Sequence, residues 1–274
     1  MLLALCSLKG SPGVTTLAVA LAARWPIEEQ PILVEADPAG GDLMARFCLH
    51  ESPGLVSMAA AARRSTDQAL LAEHVQVLRG GLQVVVGPVG AEQTRAALSA
   101  VDDSSPLLRF AGLPGRTVIA DCGRADPDSP ALPIIRGADA MLLLARPLDE
   151  ELAHVALKLS TAQRWSSRPG FVLIGDGHRT HEVSRALGIP VMAHVPQDDK
   201  GAAVLNGKGN GRHGPARSRL GRAAAQLARL IHGQWQTAGN GGSPLMQHRA
   251  PVSGHTPDGT ALQPLGPTGN GPRS

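Results

Sequence analysis

The residues Leu8-Lys9-Gly10-Ser11-Pro12-Gly13-Val14-Thr15-Thr16 place a lysine, two glycines and paired threonines between a short apolar run, Leu2–Ser7, and a helix-like stretch, Thr15–Arg24. At such a junction the first N–H groups of the helix have no intrahelical partner, and the helix dipole adds positive potential. A loop of this kind makes a cradle suited to a polyphosphate. Thr15 stands where a hydroxyl would ligate Mg²⁺. The other reading is a tight strand-to-helix turn whose threonines cap the helix. The usual phosphate-loop pattern ends Gly-Lys-Thr, whereas this chain has Gly-Val-Thr.

Acidic residues follow two further apolar runs. Leu33-Val34-Glu35-Ala36-Asp37-Pro38 carries carboxylates at i and i+2, on one face of a strand end. Val118-Ile119-Ala120-Asp121-Cys122-Gly123 ends in an acid suited to holding Mg²⁺ through water. Alone, each aspartate reads better as a helix cap or a turn residue. The phosphate loop and the two acidic strand ends, in order, carry more weight together than any one of them.

The elements that must position these groups are legible in the periodicity. β-like runs fall at Leu2–Ser7, Pro31–Glu35, Leu82–Gly87, Thr117–Asp121, Ala140–Ala145, Phe171–Gly175 and Pro190–Val195. Helix-like stretches lie at Thr15–Arg24, Ala91–Ala100, Leu148–Trp165 and Thr180–Leu187. Continuous apolar strands such as Met141-Leu142-Leu143-Leu144 belong in a sheet covered on both faces. The alternation predicts an α/β fold, a mostly parallel twisted sheet flanked by helices. Right-handed crossovers then align the strand C-terminal ends along one rim, where open α/β sheets bind ligands.

Composition narrows the function classes. The 274 residues are 43% hydrophobic, enough for one substantial core, but only 2% aromatic, with no tyrosine. That stock argues against an RNA reader built on base stacking and against specific nucleic-acid binding. No apolar run is long enough for a membrane span, and the opening Met-Leu-Leu-Ala-Leu-Cys-Ser-Leu lacks the charged start of a signal peptide. Cys6, Cys48 and Cys122 are odd in number and widely spaced, which fits a reducing cytoplasm better than a disulfide scaffold or a zinc ribbon. Residues 1–200 hold 18 basic and 22 acidic side chains; residues 201–274 hold 8 basic ones and only Asp258. The stretch Gly201–Pro215 reads as a flexible glycine-rich loop, and 236–274, rich in Gly and Pro without hydrophobic period, as a disordered tail.

With these residues in place the chain resembles the MinD/ParA family of P-loop ATPases, the deviant Walker A group, over roughly residues 1–232. Lys9 falls on the family's signature lysine, Gly10 and Gly13 on loop glycines, Thr15 on the Mg²⁺ ligand and Thr16 on the threonine after it. Glu35 falls on the first acid of the second motif and Asp37 on the acid that orients the attacking water. Asp121 falls on the Walker B aspartate. Arg146-Pro147, Leu187-Gly188-Ile189-Pro190 and Val195-Pro196-Gln197-Asp198 look like later family segments. Departures are Leu8 and Ser11 for glycines, Val14 for the lysine that contacts the β/γ-phosphates, and Gly175-Asp176 where many relatives have an adenine-reading Asn.

The resemblance implies a P-loop NTPase fold of the SIMIBI/MinD type over 1–235. ATP would sit on Lys9, Gly10, Ser11, Pro12, Gly13, Val14, Thr15 and Thr16, with Mg²⁺ on Thr15 and Asp121. Lys9 and Asp37 would be the catalytic residues, and the missing lysine implies weak or absent hydrolysis. It also implies a homodimer formed on ATP binding and a protein partner in chromosome partitioning, septation, or a pilus or secretion machine. The degenerate loop is closer to TadZ-like members. Residues 216–235 form an amphipathic stretch, Leu220, Ala224, Leu227, Ile231 and Trp235 on one side and Arg219, Arg222 and Arg229 on the other. The resemblance makes it a peripheral contact with the inner face of the cell membrane; the alternative is the domain's last helix packed on the sheet. Rival functions are a nucleotide-blind scaffold and a biosynthetic P-loop enzyme. His178 and His181 read as loop and cap residues, and Cys6 and Cys122 as small buried hydrophobes.

Overall fold

The run Leu-Leu-Ala-Leu-Cys-Ser forms β1 (Leu2–Ser7), buried along its whole length, and it lies in the middle of the sheet. In the computed structural model, residues 1–26, 30–166, 168–208 and 215–239 are described. The strands are β1, β2 (Ile32–Glu35), β3 (Gln76–Val77), β4 (Gln83–Val85), β5 (Val118–Arg124), β6 (Ala140–Ala145), β7 (Pro169–Ile174) and β8 (Val191–Val195). Their order across the sheet is β3-β4-β2-β5-β1-β6-β7-β8. Every pairing is parallel except β3 with β4. The expected sheet is therefore the one found.

The helices are α1 (Val14–Ala23), α2 (Leu43–Phe47), α3 (Leu55–Ala62), α4 (Leu70–Glu73), α5 (Ala91–Leu98), α6 (Pro106–Ala111), α7 (Leu132–Gly137), α8 (Asp149–Ala162), α9 (Thr180–Leu187), α10 (Asp199–Leu205) and α11 (Arg219–Gly239). Short 3₁₀ turns occupy Gln163–Trp165 and Pro215–Arg217. The core is aliphatic, as the composition requires. Leu2, Leu5, Leu33, Leu144 and Val172 are each at most 1% exposed, and Cys6 and Cys122 are fully buried among them. Burial pushes the Cys6 thiol up to about 12, so it packs as a small apolar side chain.

Three local expectations change. β5 does not stop at Asp121 but runs on to Arg124, past a register irregularity opposite Leu5–Ser7, which places Asp121 inside the sheet. Residues 201–205 of the expected loop are helical in α10, because Asp198 caps that helix by accepting the Gly201 N–H at 2.9 Å. Residues 236–239 of the expected disordered tail are helical at the end of α11, while 209–214 and the tail from 240 onward lie outside the described residues.

The described side chains of α11 divide by face. Leu220, Ala224, Leu227, Ala228 and Ile231 are buried, while Arg219, Arg222 and Arg229 are exposed. Burial of that apolar stripe is what the packed-helix reading expects. Among the described residues no helix is long and apolar enough to cross a membrane.

Candidate functional site

The strand order places the C-terminal ends of β2, β5, β1, β6, β7 and β8 along one rim, and the loop Leu8–Gly13 rises from its centre. Leu8 is 1% exposed and anchors the loop in the core, whereas Lys9, Gly10 and Ser11 are exposed. Gly10 and Gly13 have φ of 68° and 99°, values that glycine adopts readily and other residues rarely do. Gly13 is the N-cap of α1, and no side chain caps that helix. No acidic residue lies in its first turn, so the terminal amides and the dipole keep their positive potential. Val14, 6% exposed, contributes an apolar surface and no charge.

Asp121 lies between β1 and β2, its Cα paired with Leu5 on one side and Glu35 on the other. It is fully buried. Its Oδ1 accepts the Gly123 N–H at 3.1 Å, but Oδ2 has no hydrogen-bond partner. Burial raises its pKa to about 7. The Thr15 side chain pulls in the opposite direction, as a nearby donor would, while the charges of Glu35 and Asp37 push the pKa up. Thr15 thus stands against the Asp121 carboxylate, although no donor meets Oδ2 in full hydrogen-bond geometry. A buried carboxylate oxygen left unpaired costs stability unless a cation or donor completes it.

The acid that ends β2 and the one just after it sit in different surroundings. Glu35 is 1% exposed. Its Oε1 accepts the N–H groups of Asp42 at 2.6 Å and Leu43 at 3.0 Å, and its Oε2 accepts Gly87 N–H at 3.0 Å. It therefore ties the loop after β2 to the start of α2 and the end of β4. Desolvation is the largest influence on it and raises its pKa, opposed by those three amides. Asp37 is half-buried, accepts the Ala39 N–H at 2.8 Å and packs its carboxylate against Gly123. Burial raises its pKa as well, and Arg124 and Arg95 lower it.

A cleft of about 140 Å³ opens beside the loop, between Ser11, Pro12 and Gly13 on one side and Ile174, Pro196 and Gln197 on the other, with Thr16 and Arg146 along it. Among the described residues no group of His, Cys, Asp and Glu could by itself hold a metal ion. Two protein ligands plus phosphate oxygens and water are, however, the usual provision for Mg²⁺.

No family model matches the sequence, and no curated protein does. Solved structures do match. A ParA family ATPase from Chlorobium tepidum TLS shares 21% identity at a TM-score of 0.67, over 83% of this chain and 96% of its own. The cell division ATPase MinD from Pyrococcus furiosus shares 17% at 0.63, over 85% and 98%. MinD from Pyrococcus horikoshii OT3, solved with Mg-ADP, shares 15% at 0.63, over 84% and 95%. The chain has the fold of the ParA and MinD ATPases.

Within this ParA/MinD fold, the predicted residues Lys9, Gly10, Ser11, Pro12, Gly13, Val14, Thr15 and Thr16 all sit on the central loop and the start of α1, and Asp121 faces Thr15. Asp37 stands beside Asp121, close enough to raise its pKa. Lys9 makes no ion pair among the described residues and does not line the cleft. His178 pairs with Asp149 at 2.6 Å, on the exposed side of the rim. Glu151, 8% exposed, escaped the sequence reading, as did the part Arg146 plays: Glu151 Oε2 accepts the Arg146 N–H at 2.9 Å. The signal for Glu151 was weak, because three consecutive acids, Asp149–Glu151, read simply as a helix start complementing its dipole.

Proposed function

We propose that this chain binds ATP with Mg²⁺ on the Lys9–Thr16 loop and works as a dimerisation switch of the ParA/MinD kind, with weak or absent hydrolysis. The observation that carries the reading is the unpaired, fully buried Asp121 Oδ2 facing Thr15 at the foot of an uncapped helix. Fold maintenance alone gives no reason to keep an acid there, since burial without a partner destabilises the chain. A cation coordinated by Thr15 and Asp121 supplies the missing partner, and Mg²⁺ brings charge neutralisation to the phosphates when bound.

The loop amides and the dipole of α1 would hold the phosphates, and the cleft toward Ile174 and Pro196 offers an apolar wall for the base. Asp37, on the rim beside Asp121, would orient water. Lys9, exposed at the tip of the loop, is free to meet the nucleotide of a second protomer. Val14 removes the usual transition-state cation, and losing one such stabiliser typically costs about 10²–10³ in rate. Binding survives better than turnover. A protein that holds ATP and hydrolyses it slowly stays dimeric for long periods, which suits placement of cargo in partition, septation, or pilus and secretion systems.

A second reading has one observation in its favour. Val14 is buried and uncharged, as in a scaffold that keeps the fold and has given up the nucleotide. Isothermal titration with ATP, with and without Mg²⁺, separates the two. The switch reading expects Mg²⁺-dependent heat that disappears in Asp121→Ala, and an ATP-dependent rise in sedimentation coefficient. No heat from the folded wild-type chain leaves the scaffold reading standing.

A further inference from the structure

We propose that Arg146 supplies, toward the phosphates of the bound nucleotide, the positive charge that Val14 lacks; this rests on the nucleotide-binding reading above. Arg146 is the first residue beyond β6, and β6 pairs with β1 so that Leu144 lies opposite Ser7. The chain therefore delivers residue 146 to the rim beside the loop that begins at Leu8. Among the described residues Arg146 is also the one basic side chain along the cleft that holds Ser11, Pro12 and Gly13.

Its placement is fixed from behind. Glu151, in the first turn of α8, accepts the Arg146 backbone N–H at 2.9 Å, and its Oε1 stands 4.0 Å from Arg146 Nε. The same Oε1 approaches the loop so closely that a Cβ on Gly10 would fall 2.9 Å from it. Glu151 thus sits between the loop and the arginine while itself not lining the cleft. Among the described residues neither Nη of Arg146 has a hydrogen-bond or ion-pair partner, and its side chain is 49% exposed. A long, half-exposed ion pair contributes little to stability, so pairing with Glu151 does not account for the arginine. An arginine whose backbone is fixed by Glu151 and whose outer fork is free has the geometry that grips phosphate oxygens in pairs. Lys9, the rival source of charge, lies off the cleft.

The test measures ATP by isothermal titration in the presence of Mg²⁺, and adenosine by NMR titration, on the full chain and on Arg146→Ala, Arg146→Gln and Arg146→Lys. The expected result is a loss of ATP affinity of roughly 10- to 100-fold in the Ala and Gln variants. Adenosine affinity stays as in wild type, and Lys recovers most of the ATP binding. Circular dichroism establishes that each variant is folded, and the Gln variant keeps most of the side-chain volume should Ala disturb the rim. ATP affinity unchanged in a folded Arg146→Gln overturns the proposal while leaving the nucleotide reading intact. An equal loss for adenosine and ATP also overturns it, since the arginine would then serve the base or shape the cleft. A wild-type chain that binds neither ligand removes the nucleotide reading itself, and this proposal with it.

Discussion

The Asp37 carboxylate occupies the space that a side chain at position 123 would need: a Cβ built on Gly123 falls 2.0 Å from Asp37 Cγ. Gly123 also has a φ of 54°, in the region that favours glycine. The loop after β2 and the end of β5 are thereby held face to face, which keeps Asp37 beside Asp121. Gly123→Ala should cost roughly 2–4 kcal/mol, combining left-handed strain with overpacking. In an Asp37→Ala background the same substitution should cost only the backbone part, about 1 kcal/mol. Urea unfolding of the two single variants and the double variant gives the coupling. Additive costs would mean that the carboxylate does not fill that space in solution.

Asp121 makes an opposite prediction about stability. Its folded pKa, about 7, lies above the ordinary carboxylate value because of burial. A group raised in this way holds its proton in the folded chain while the unfolded chain has lost it. Stability without ligand therefore falls as pH rises from about 4 to about 7, then levels off. Asp121→Asn has no such charge to bury. Its advantage over wild type, in the absence of nucleotide and Mg²⁺, should be small below about pH 4 and reach on the order of 2–4 kcal/mol at pH 8. Thermal melts across that range check the slope. The same variant should lose Mg²⁺-dependent ATP binding, a trade of function for stability.

Glu35 is the acid whose loss damages the fold itself. Its two oxygens satisfy the amides of Asp42, Leu43 and Gly87, which belong to two segments, the start of α2 and the turn after β4, that no strand pairing joins to each other. Glu35→Ala strands buried donors and opens a cavity at a site 1% exposed, with an expected cost on the order of 3–5 kcal/mol. Glu35→Gln keeps an acceptor for some of these amides and should cost less. Chemical denaturation of both variants measures this. If Glu35→Ala is as stable as wild type, the carboxylate serves ligand rather than loop.

What could be read from residue order alone follows from how each element is stabilised. β1, β6 and α1 are runs of four or more apolar or alanine-rich residues, so their burial and period are local properties. The turn between β1 and α1 was legible because glycine at positions 10 and 13 marks backbone that other residues resist. β3 was not legible: Gln76–Val77 is two residues long and exists through its antiparallel pairing with β4. α2, α4 and α6 span 4–6 residues, too short for a 3.6-residue period to show. Glu35 and Asp37 looked like one pair of site carboxylates because spacing records direction but not burial. Glu151 and Arg146 became a pair only through the β1–β6 register, which no short window of sequence contains.

Asp198 joins the cleft to the last helix. Its Oδ1 accepts the Gly201 N–H of α10 at 2.9 Å and its Oδ2 accepts the Leu220 N–H of α11 at 2.9 Å. Both Asp198 and Leu220 line the cleft beside the loop. Partial burial works to raise the Asp198 pKa, but the amides of Leu220, Gly201 and Arg219 outweigh it, and the net shift is downward. A carboxylate with a depressed folded pKa contributes stability that is complete above its unfolded value and is lost as pH falls through its folded one. Asp198→Ala should therefore destabilise the chain by roughly 1–2 kcal/mol at pH 7, the range for a lost N-cap, and the gap to wild type should close as pH drops below about 4. Tm of the two proteins at pH 7 and pH 3 tests this, and a gap that stays constant would show that the side chain's packing, not its charge-assisted hydrogen bonds, carries the effect. Because the same carboxylate orders one wall of the cleft, the variant should also show a smaller rise in Tm on adding ATP and Mg²⁺ than wild type does, and an equal rise would separate the clasp on α11 from the nucleotide site.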